Sequence, residues 1–251
     1  MGLRPLDLGE WLQIDERYDE ELLLKTALLE RDYDAVVATN SEGDAASSEL
    51  LVEVESFLTR HYPQIEFRTI RSEHPIVQAS RIVQEDLCVL VRDDEWRLRA
   101  ACVCFPSRWS LASKIGATLD DIHSPVPFYD EELARPTNAF FDRLTPDRSF
   151  WRLNWTLLDS PALFQPGSAR VAPSGDLSRW HFRVERQTIR QLPRSKAIVF
   201  TIRTYVASAA SLRDDDPEFV PALLHSIESA PPSVKAYKGW INVAERLRGV
   251  L

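Results

Sequence analysis

Hydrophobic positions along the chain change their spacing twice. Residues 9–30 and 47–61 carry apolar side chains mostly at intervals of three and four, which predicts two amphipathic helices. From residue 81 the spacing changes: strand-like apolar runs predict strands at 87–91 and 96–105, and alternating positions predict strands at 150–158, 179–189 and 197–206. The helical spacing then returns, so the C-terminal 45 residues are expected to be helical.

Helical pieces are predicted between the second and third strands. One covers 107–116, and a short turn then opens at Thr118, with Asp121 three residues on in the arrangement of a capping box. Another piece covers 129–144, where Pro136 is expected to kink or divide it. The helical pieces therefore lie together in the middle of the chain, between strands.

This order is a hairpin turning at 92–95, a helical segment and three meander-like strands. It is typical of a PAS-type domain, in which helices cover one face of a sheet and a ligand can sit between the two layers. We therefore predict an α+β fold with a PAS-like, five-stranded antiparallel sheet. The predicted organisation is an N-terminal helical extension (1–75), the PAS-like core (76–206) and C-terminal helices (207–251) packing on the core as a single compact unit.

Composition narrows the function classes. The 251 residues are 44% hydrophobic, enough to bury a sizeable core, and the formal net charge of -8 argues against a nucleic-acid-binding protein. No segment has the apolar length of a membrane span, and no apolar export signal is seen at the start. Cys88, Cys102 and Cys104 fall in apolar runs, which indicates buried thiols in a reducing compartment. A cytoplasmic protein is expected.

His123 is the first candidate for chemistry, because Pro125 and Pro127 restrain the chain that follows it. On a helix that covers an apolar sheet, such a histidine suits a proximal haem ligand. The alternative is a histidine that interacts with the last carbonyls of its own short helix. The residues alone leave both interpretations open.

Polar positions on the late strands are the second candidate. Arg183, Glu185 and Gln187 share one face of their strand, and Arg203 and Tyr205 share a face of the next. A cross-strand cluster of arginine, glutamate and tyrosine is geometrically allowed. It is either an ordinary solvated sheet face or a buried polar site.

Further positions suit a cofactor. Arg108 and Lys114, near the start and end of the predicted helix at 107–116, suit carboxylate or propionate groups, although solvated helix termini explain them equally. Trp109, Trp151 and Trp155 suit the wall of an apolar cofactor pocket or ordinary core positions. The common nucleotide, zinc, hydrolase and dithiol motifs are absent from the sequence.

An ordered series of motifs resembles a known family. The motifs are "GLRPLD" (2–7), "VQEDLCVL" (83–90), "FPSRWSLASKIG" (105–116), "IHSPVP" (122–127), "FFDRL" (140–144), "WRLNW" (151–155), "RVERQTIRQLPRSKAIVFTIRTYV" (183–206) and "YKG" (237–239). In this order they resemble the haem-dependent oxidative N-demethylase α-subunit-like family, over nearly the whole chain.

The resemblance implies a PAS-like domain that binds haem b and performs oxygen-dependent chemistry. The implied reaction is oxidative demethylation of a small alkylamine, such as dimethylamine, with release of formaldehyde. NADPH electrons would come through partner flavin and [2Fe–2S] components, in a hetero- or homo-oligomer. A haem-PAS binding or sensor protein without turnover is the alternative, and a partner subunit that has lost its cofactor is a third.

The resemblance also makes His123 the expected iron ligand. Glu185 becomes a candidate for attracting or deprotonating an alkylammonium, while Arg203 and Tyr205 become candidates for binding oxygen-derived groups or orienting that glutamate. Arg108, Lys114 and the tryptophans at 151 and 155 are expected around the cofactor.

Overall fold

A seven-stranded antiparallel sheet organises the computed structural model, which describes residues 2–167 and 177–249. The strand order in the sheet is β1-β5-β6-β7-β3-β4-β2. In chain order the strands are β1 (Arg4–Leu6), β2 (Val37–Thr39), β3 (Asp86–Arg92), β4 (Trp96–Cys102), β5 (Ser149–Leu158), β6 (His181–Gln191) and β7 (Ile198–Ser208).

The five predicted strands correspond to β3 through β7, and their existence is confirmed, as are the β3–β4 hairpin and the direct β6–β7 pairing. The five-stranded sheet is corrected to seven strands. A three-residue strand near the N-terminus, β1, pairs with the start of β5, and β2 pairs with β4 at the opposite edge. Both strands are too short to show an alternating pattern, and so their sequences do not predict them.

The helices lie on both sides of the sheet. They are α1 (Tyr18–Arg31), α2 (Tyr33–Val36), α3 (Asp44–His61), α4 (Pro75–Ser80), α5 (Leu119–His123), α6 (Ala134–Asp142), α7 (Ala209–Asp215), α8 (Phe219–Ser229), α9 (Pro232–Lys238) and α10 (Val243–Arg248). The prediction of helices near 47–61 and after residue 206 is therefore confirmed. Single 3₁₀ turns lie at Leu8–Glu10, Ser41–Gly43, Leu111–Ser113 and Leu177–Arg179, and a π-helical turn lies at Tyr129–Leu133.

The helix predicted from residue 9 is shorter than its apolar spacing indicates, since α1 begins only at Tyr18. The segment before it is held by side chains from elsewhere in the chain. The backbone N–H of Gln13 donates to Glu85 (2.8 Å), and that of Asp15 donates to Gln84 (3.1 Å). These acceptors replace the hydrogen bonds that a helix would supply.

The predicted helical pieces in the middle of the chain are also shorter than expected. Segment 107–116 contains only one 3₁₀ turn before Gly116, which adopts φ +76°. Segment 129–144 is divided, as expected for a chain containing Pro136, but the change falls at Leu133, where the π-helical turn gives way to α6. Pro136 itself lies in the first turn of α6, where a missing N–H costs little.

The two faces of the sheet have different cover. We call the face that carries Phe150, Arg152, Glu185, Gln187 and Phe200 the α5 face, because its apolar part packs against α5 and α6. The opposite face carries the alternate residues of the same strands. The helices α1, α3 and α4 cover its middle, and α8 to α10 cover the far ends of β5 and β6.

The three cysteines are buried, which confirms that part of the sequence prediction. No helix within the described ranges is long and apolar enough to cross a membrane.

Candidate functional site

His123 is the last residue of α5, the short helix over the apolar part of the α5 face. The predicted capping box is confirmed: the hydroxyl of Thr118 accepts from the backbone N–H of Asp121 (3.0 Å), and the Asp121 carboxylate accepts from the backbone N–H of Thr118 (3.3 Å). Leu119 is buried in the core beneath the helix. The cap and this anchor fix the direction of a helix only five residues long.

The ring of His123 is held in one tautomer. Its Nδ1 lies 2.8 Å from the carbonyl oxygen of Leu119, and because a carbonyl only accepts, Nδ1 carries the proton. Nε2 is then the nitrogen with the lone pair. The ring also stacks on Tyr129, with centroids 4.9 Å apart and planes at 16°. The imidazole is therefore oriented from two sides with a ligating nitrogen available.

The surroundings favour the neutral form of His123. Burial lowers the pKa of the imidazole, and the nearby positive charges of Arg152 and Lys114 lower it further, while the bond to Leu119 opposes the shift. Lys114 belongs to this neighbourhood because its Nζ donates to the carbonyl of Ile122 (2.8 Å). A neutral imidazole is the form that binds a metal.

Glu185 is a buried carboxylate on the α5 face, and three donors hold it. Its Oε2 accepts from the side-chain amides of Asn154 (3.2 Å) and Gln187 (3.0 Å), and its Oε1 lies 3.4 Å from Nε of Arg183. Arg183 is fully buried and also donates to carbonyls of Leu163 and Phe105. The carboxyl group of Glu185 is thus held in one orientation by hydrogen bonds.

Arg152 connects the glutamate to the histidine side of the face. Its Nε donates to Oε1 of Gln187 (2.7 Å), which directs the Gln187 amide nitrogen to Glu185. Burial lowers the pKa of the Arg152 guanidinium, and the charge of Glu185 opposes this shift. Arg152 thus links the imidazole of His123 to the carboxylate of Glu185, which Arg183 contacts from its other side.

Arg203 and Tyr205 lie on the opposite face, which corrects the predicted cluster with Glu185. The β6–β7 register pairs Glu185 with Thr204 and places Arg203 beside Arg186. Residues directly opposite each other in a sheet share a face, so the alternate positions point away from Glu185. On its own face, Tyr205 donates to Gln13 (2.6 Å).

Arg203 is instead part of a buried ionic network that attaches the N-terminal segment. Its guanidinium binds Asp15 (2.6 Å) and Glu21 (2.7 Å), and it stacks over the ring of Tyr205 at 4.7 Å. Arg203 is 1% exposed and Glu21 is 1% exposed. Because all of its hydrogen-bond partners are structural, these contacts stabilise the fold rather than the α5 face.

The predicted tryptophans also lie away from His123. The ring of Trp151 lies 5.6 Å from the guanidinium of Arg4 and 5.7 Å from that of Arg186, and Trp155 stacks on Trp240 with centroids 4.5 Å apart. Both alternate with Arg152 and therefore point from β5 to the opposite face. Their assignment to the cofactor pocket is corrected, whereas Trp109 does pack with the apolar cluster of the α5 face.

Arg108 has positive φ (60°) and binds Asp159 and Gln165 beyond the end of β5. No contact brings it to His123 in the described part of the chain. Of the two predicted propionate partners, only Lys114 lies beside the histidine.

Arg152 and Asn154 were not among the predicted site residues. The alternation along β5 predicts that both lie on the same face of the strand as Phe150. Only the register shows that they lie opposite Gln187 and Glu185 on the neighbouring strand. Lys238 was also missed. It comes from α9, 84 residues away from Asn154, and no local pattern links the two.

The two other histidines considered as ligands differ in their surroundings. His74 caps α4 and pairs with Asp44 (3.1 Å), which gives it a structural role. His181 begins β6 on the α5 face, and its Nδ1 is buried with no hydrogen-bond partner among the described residues. His181 is therefore the competing ligand that an experiment must exclude.

A haem fits this donor set. Its iron needs only one or two protein ligands, and the described residues contain no cluster of three metal-ligating side chains that would indicate a protein-only metal site. His123 offers a neutral nitrogen, Ile122 and Phe140 contribute apolar surface, and Arg152 and Lys114 supply positive charge. These are the features that an iron porphyrin with two propionates requires.

The fold and the site thus define an α+β protein with a haem-compatible histidine on a cover helix, and a buried carboxylate on the facing sheet. The model of one protein family, described as haem-dependent oxidative N-demethylase, alpha subunit-like, matches residues 2–248. The chain belongs to that family. Its description names a haem-dependent oxidative reaction and an alpha subunit, in agreement with the resemblance in the motifs.

Proposed function

We propose that this protein catalyses the haem-dependent, O₂-using oxidative N-demethylation of a small alkylamine such as dimethylamine, with release of formaldehyde. The central observation is that the carboxylate of Glu185 lies on the sheet face covered by the helix that carries His123, and that the charge of Arg152 acts on both side chains. The five central strands, β5-β6-β7-β3-β4 in the sheet, support a PAS-like core as the scaffold of this site.

His123 would hold the haem iron through Nε2, because its Nδ1–H is engaged by Leu119. Arg152 and Lys114 would pair with the propionates, which also offsets the desolvation that lowers the pKa of both side chains. Haem, when bound, supplies the activation of O₂ that side chains do not provide. The polypeptide contributes the orientation of the substrate and the handling of its proton.

Glu185 would bind the alkylammonium. In a buried setting, a carboxylate pairs with a cationic amine more strongly than it does in water. The carboxylate of Glu185 is also suited to take the N–H proton that must leave before the amine is oxidised. Asn154, Gln187 and Arg183 keep the carboxylate in one orientation, which reduces the reorganisation needed when the substrate enters.

Electrons would come from other polypeptides, ultimately from NADPH through flavin and [2Fe–2S] components. The sequence has three cysteines, fewer than the four thiolates of a ferredoxin-type cluster, and all three are buried in the structure. The term alpha subunit in the family description supports the existence of such partners.

The test uses haem-loaded protein with dimethylamine, O₂ and a reductase with its ferredoxin. We expect formaldehyde release by the wild type and a loss of at least about a hundredfold in Glu185→Gln, the range for removal of a general base. Glu53→Gln is the matched control, because Glu53 also pairs with a strand arginine, Arg190 (2.9 Å), but on the opposite face. Wild-type rates in Glu185→Gln would contradict the assigned role.

The same experiment separates the enzyme from a haem-binding sensor. A dimethylamine-induced shift of the Soret band without any formaldehyde would favour the sensor. No Soret band and no uptake of added haemin would overturn both functions.

A further inference from the structure

We infer that Lys238 is a positioning residue for Glu185 and acts through the side-chain amide of Asn154. This inference rests on the proposed role of Glu185. The direct observation is a chain of two hydrogen bonds: Lys238 Nζ donates to Asn154 Oδ1 (3.0 Å), and Asn154 Nδ2 donates to Glu185 Oε2 (3.2 Å).

The lysine determines which way the amide of Asn154 points. An ammonium group only donates, so the Asn154 atom that faces it must be the carbonyl oxygen. The amide nitrogen is then directed to the carboxylate of Glu185. Without the ammonium, only the carboxylate of Glu185 among the described residues distinguishes the two ends of the amide, so the orientation of Asn154 loses one of its two determinants.

A second chain of the same kind reaches Glu185 from the other side. Arg152 donates to the oxygen of Gln187, whose nitrogen donates to the same Oε2 atom of Glu185 (3.0 Å). Two cations thus orient two amides, and both amides direct a donor at one carboxylate oxygen. The symmetry of the arrangement argues that Lys238 has more than a packing role.

Lys238 is held rigidly at the edge of β5. In the described part of the chain, β1 pairs only with Ser149–Trp151, so the outer edge of β5 beyond this point lacks a strand neighbour. Lys238 occupies that edge, where its Nζ donates to the carbonyl of Trp155 (2.6 Å). It also lies 5.6 Å and 5.2 Å from the ring centroids of Trp155 and Trp240.

The turn after Lys238 fixes its approach. Gly239 ends α9 in the left-handed region (φ 71°), and Trp240 then enters the C-terminal core, where it is 4% exposed. The backbone N–H of Trp240 donates to the carbonyl of Lys235 (2.7 Å). The C-terminal helices therefore place the ammonium group of Lys238 at the α5 face, although they pack against the opposite face of the sheet.

The test compares Lys238→Met with Lys235→Met, a matched control on the same helix whose ammonium donates to the Glu228 carbonyl (2.9 Å). The first measurement is the side-chain amide signal of Asn154 in ¹H–¹⁵N spectra of the haem-loaded protein, assigned with Asn154→Gln. We expect Glu185→Gln and Lys238→Met each to shift this signal, and Lys235→Met to leave it in place. An unchanged signal in Lys238→Met would overturn the inference.

The second measurement is the binding of dimethylammonium chloride, followed by the Soret shift. Loss of one hydrogen bond to a charged acceptor predicts about tenfold weaker binding in Lys238→Met and in Asn154→Ala. If the lysine acts through the asparagine, the double variant binds no more weakly than the worse single variant. Additive losses would overturn the inference.

This design distinguishes a failure of the proposed function from a failure of the inference about Lys238. If the wild type shows no response to dimethylammonium, the proposed substrate is wrong, and the Asn154 signal still decides the role of Lys238. If Lys238→Met does not fold, two other single variants, Lys238→Arg and Asn154→Ala, replace it. Dimethylammonium binding that is retained in Lys238→Arg and weakened in Asn154→Ala supports the chain of hydrogen bonds. Wild-type binding in Asn154→Ala contradicts it.

Discussion

Replacing Arg203 by methionine is predicted to destabilise the fold and to leave the α5 face intact. Arg203 is 1% exposed and forms ion pairs with Asp15 (2.6 Å) and Glu21 (2.7 Å). Methionine fills a similar volume but leaves the buried carboxylate of Glu21 without its strongest partner. Gln84 at 2.9 Å and the more distant guanidinium of Arg17 at 3.8 Å then remain as its partners.

The expected loss is about 3–5 kcal/mol in the free energy of unfolding, the range for removing one partner of a buried ion pair. This is a large part of the roughly 5–15 kcal/mol that a typical domain has. Urea unfolding followed by tryptophan fluorescence measures it. Arg213→Met is the control: its pair with Asp214 is exposed and should be worth no more than about 1 kcal/mol.

The double variant Arg203→Met/Glu21→Gln sharpens the test. Because it also removes the charge of Glu21, which after loss of Arg203 keeps only the 3.8 Å ion pair with Arg17 among the described residues, it should be more stable than Arg203→Met alone. The structural role of Arg203 is refuted if Arg203→Met loses less than about 1 kcal/mol while amine binding or haem uptake is abolished. In that case Arg203 would belong to the site after all.

Two more predictions concern stability. Burial raises the pKa of Asp86 to about 6, although Lys25 and the backbone N–H groups of Cys104 and Phe105 oppose the shift. The contribution of Asp86 to stability is therefore fully present below its ordinary pKa of 3.8 and is lost as the pH rises through about 6. In urea titrations, the free energy of unfolding of the wild type minus that of Asp86→Asn should fall by on the order of 3 kcal/mol between pH 4 and pH 7. A difference that stays flat or rises would refute this prediction. Thr118→Ala removes the cap of α5 and should cost about 1 kcal/mol of unfolding free energy and speed haem loss, whereas unchanged haem retention would show that the cap does not hold His123.

The fold was predicted from the sequence where hydrophobic spacing is unambiguous. β5, β6 and β7 alternate over 10, 11 and 11 residues, and each appears close to its predicted bounds. The two edge strands have three residues each, and the segment before Tyr18 has helical spacing but takes its hydrogen bonds from distant side chains. Long-range contacts of this kind leave no local trace.

The candidate site was predicted only in part, and the reason is strand register. The sequence shows which residues of one strand share a face, but a shift of one residue against the neighbour exchanges the faces. The loop between Gln191 and Ile198 is too long to fix the register as a two-residue turn would. Arg203 and Tyr205 were therefore assigned to the wrong side, while Glu185 and Gln187 stayed together because they belong to the same strand.

The identity of the haem-iron ligand tests the proposed site most directly, and absorption spectra of two single-histidine variants determine it. His123→Ala and His181→Ala are purified from haem-sufficient cells beside the wild type, and far-UV circular dichroism checks their folding. We expect His123→Ala to lose stable haem or to change its axial spectrum, and His181→Ala to keep the wild-type Soret band. An unchanged spectrum in His123→Ala, together with haem loss in His181→Ala, would contradict the assignment and move the iron to the other end of the α5 face.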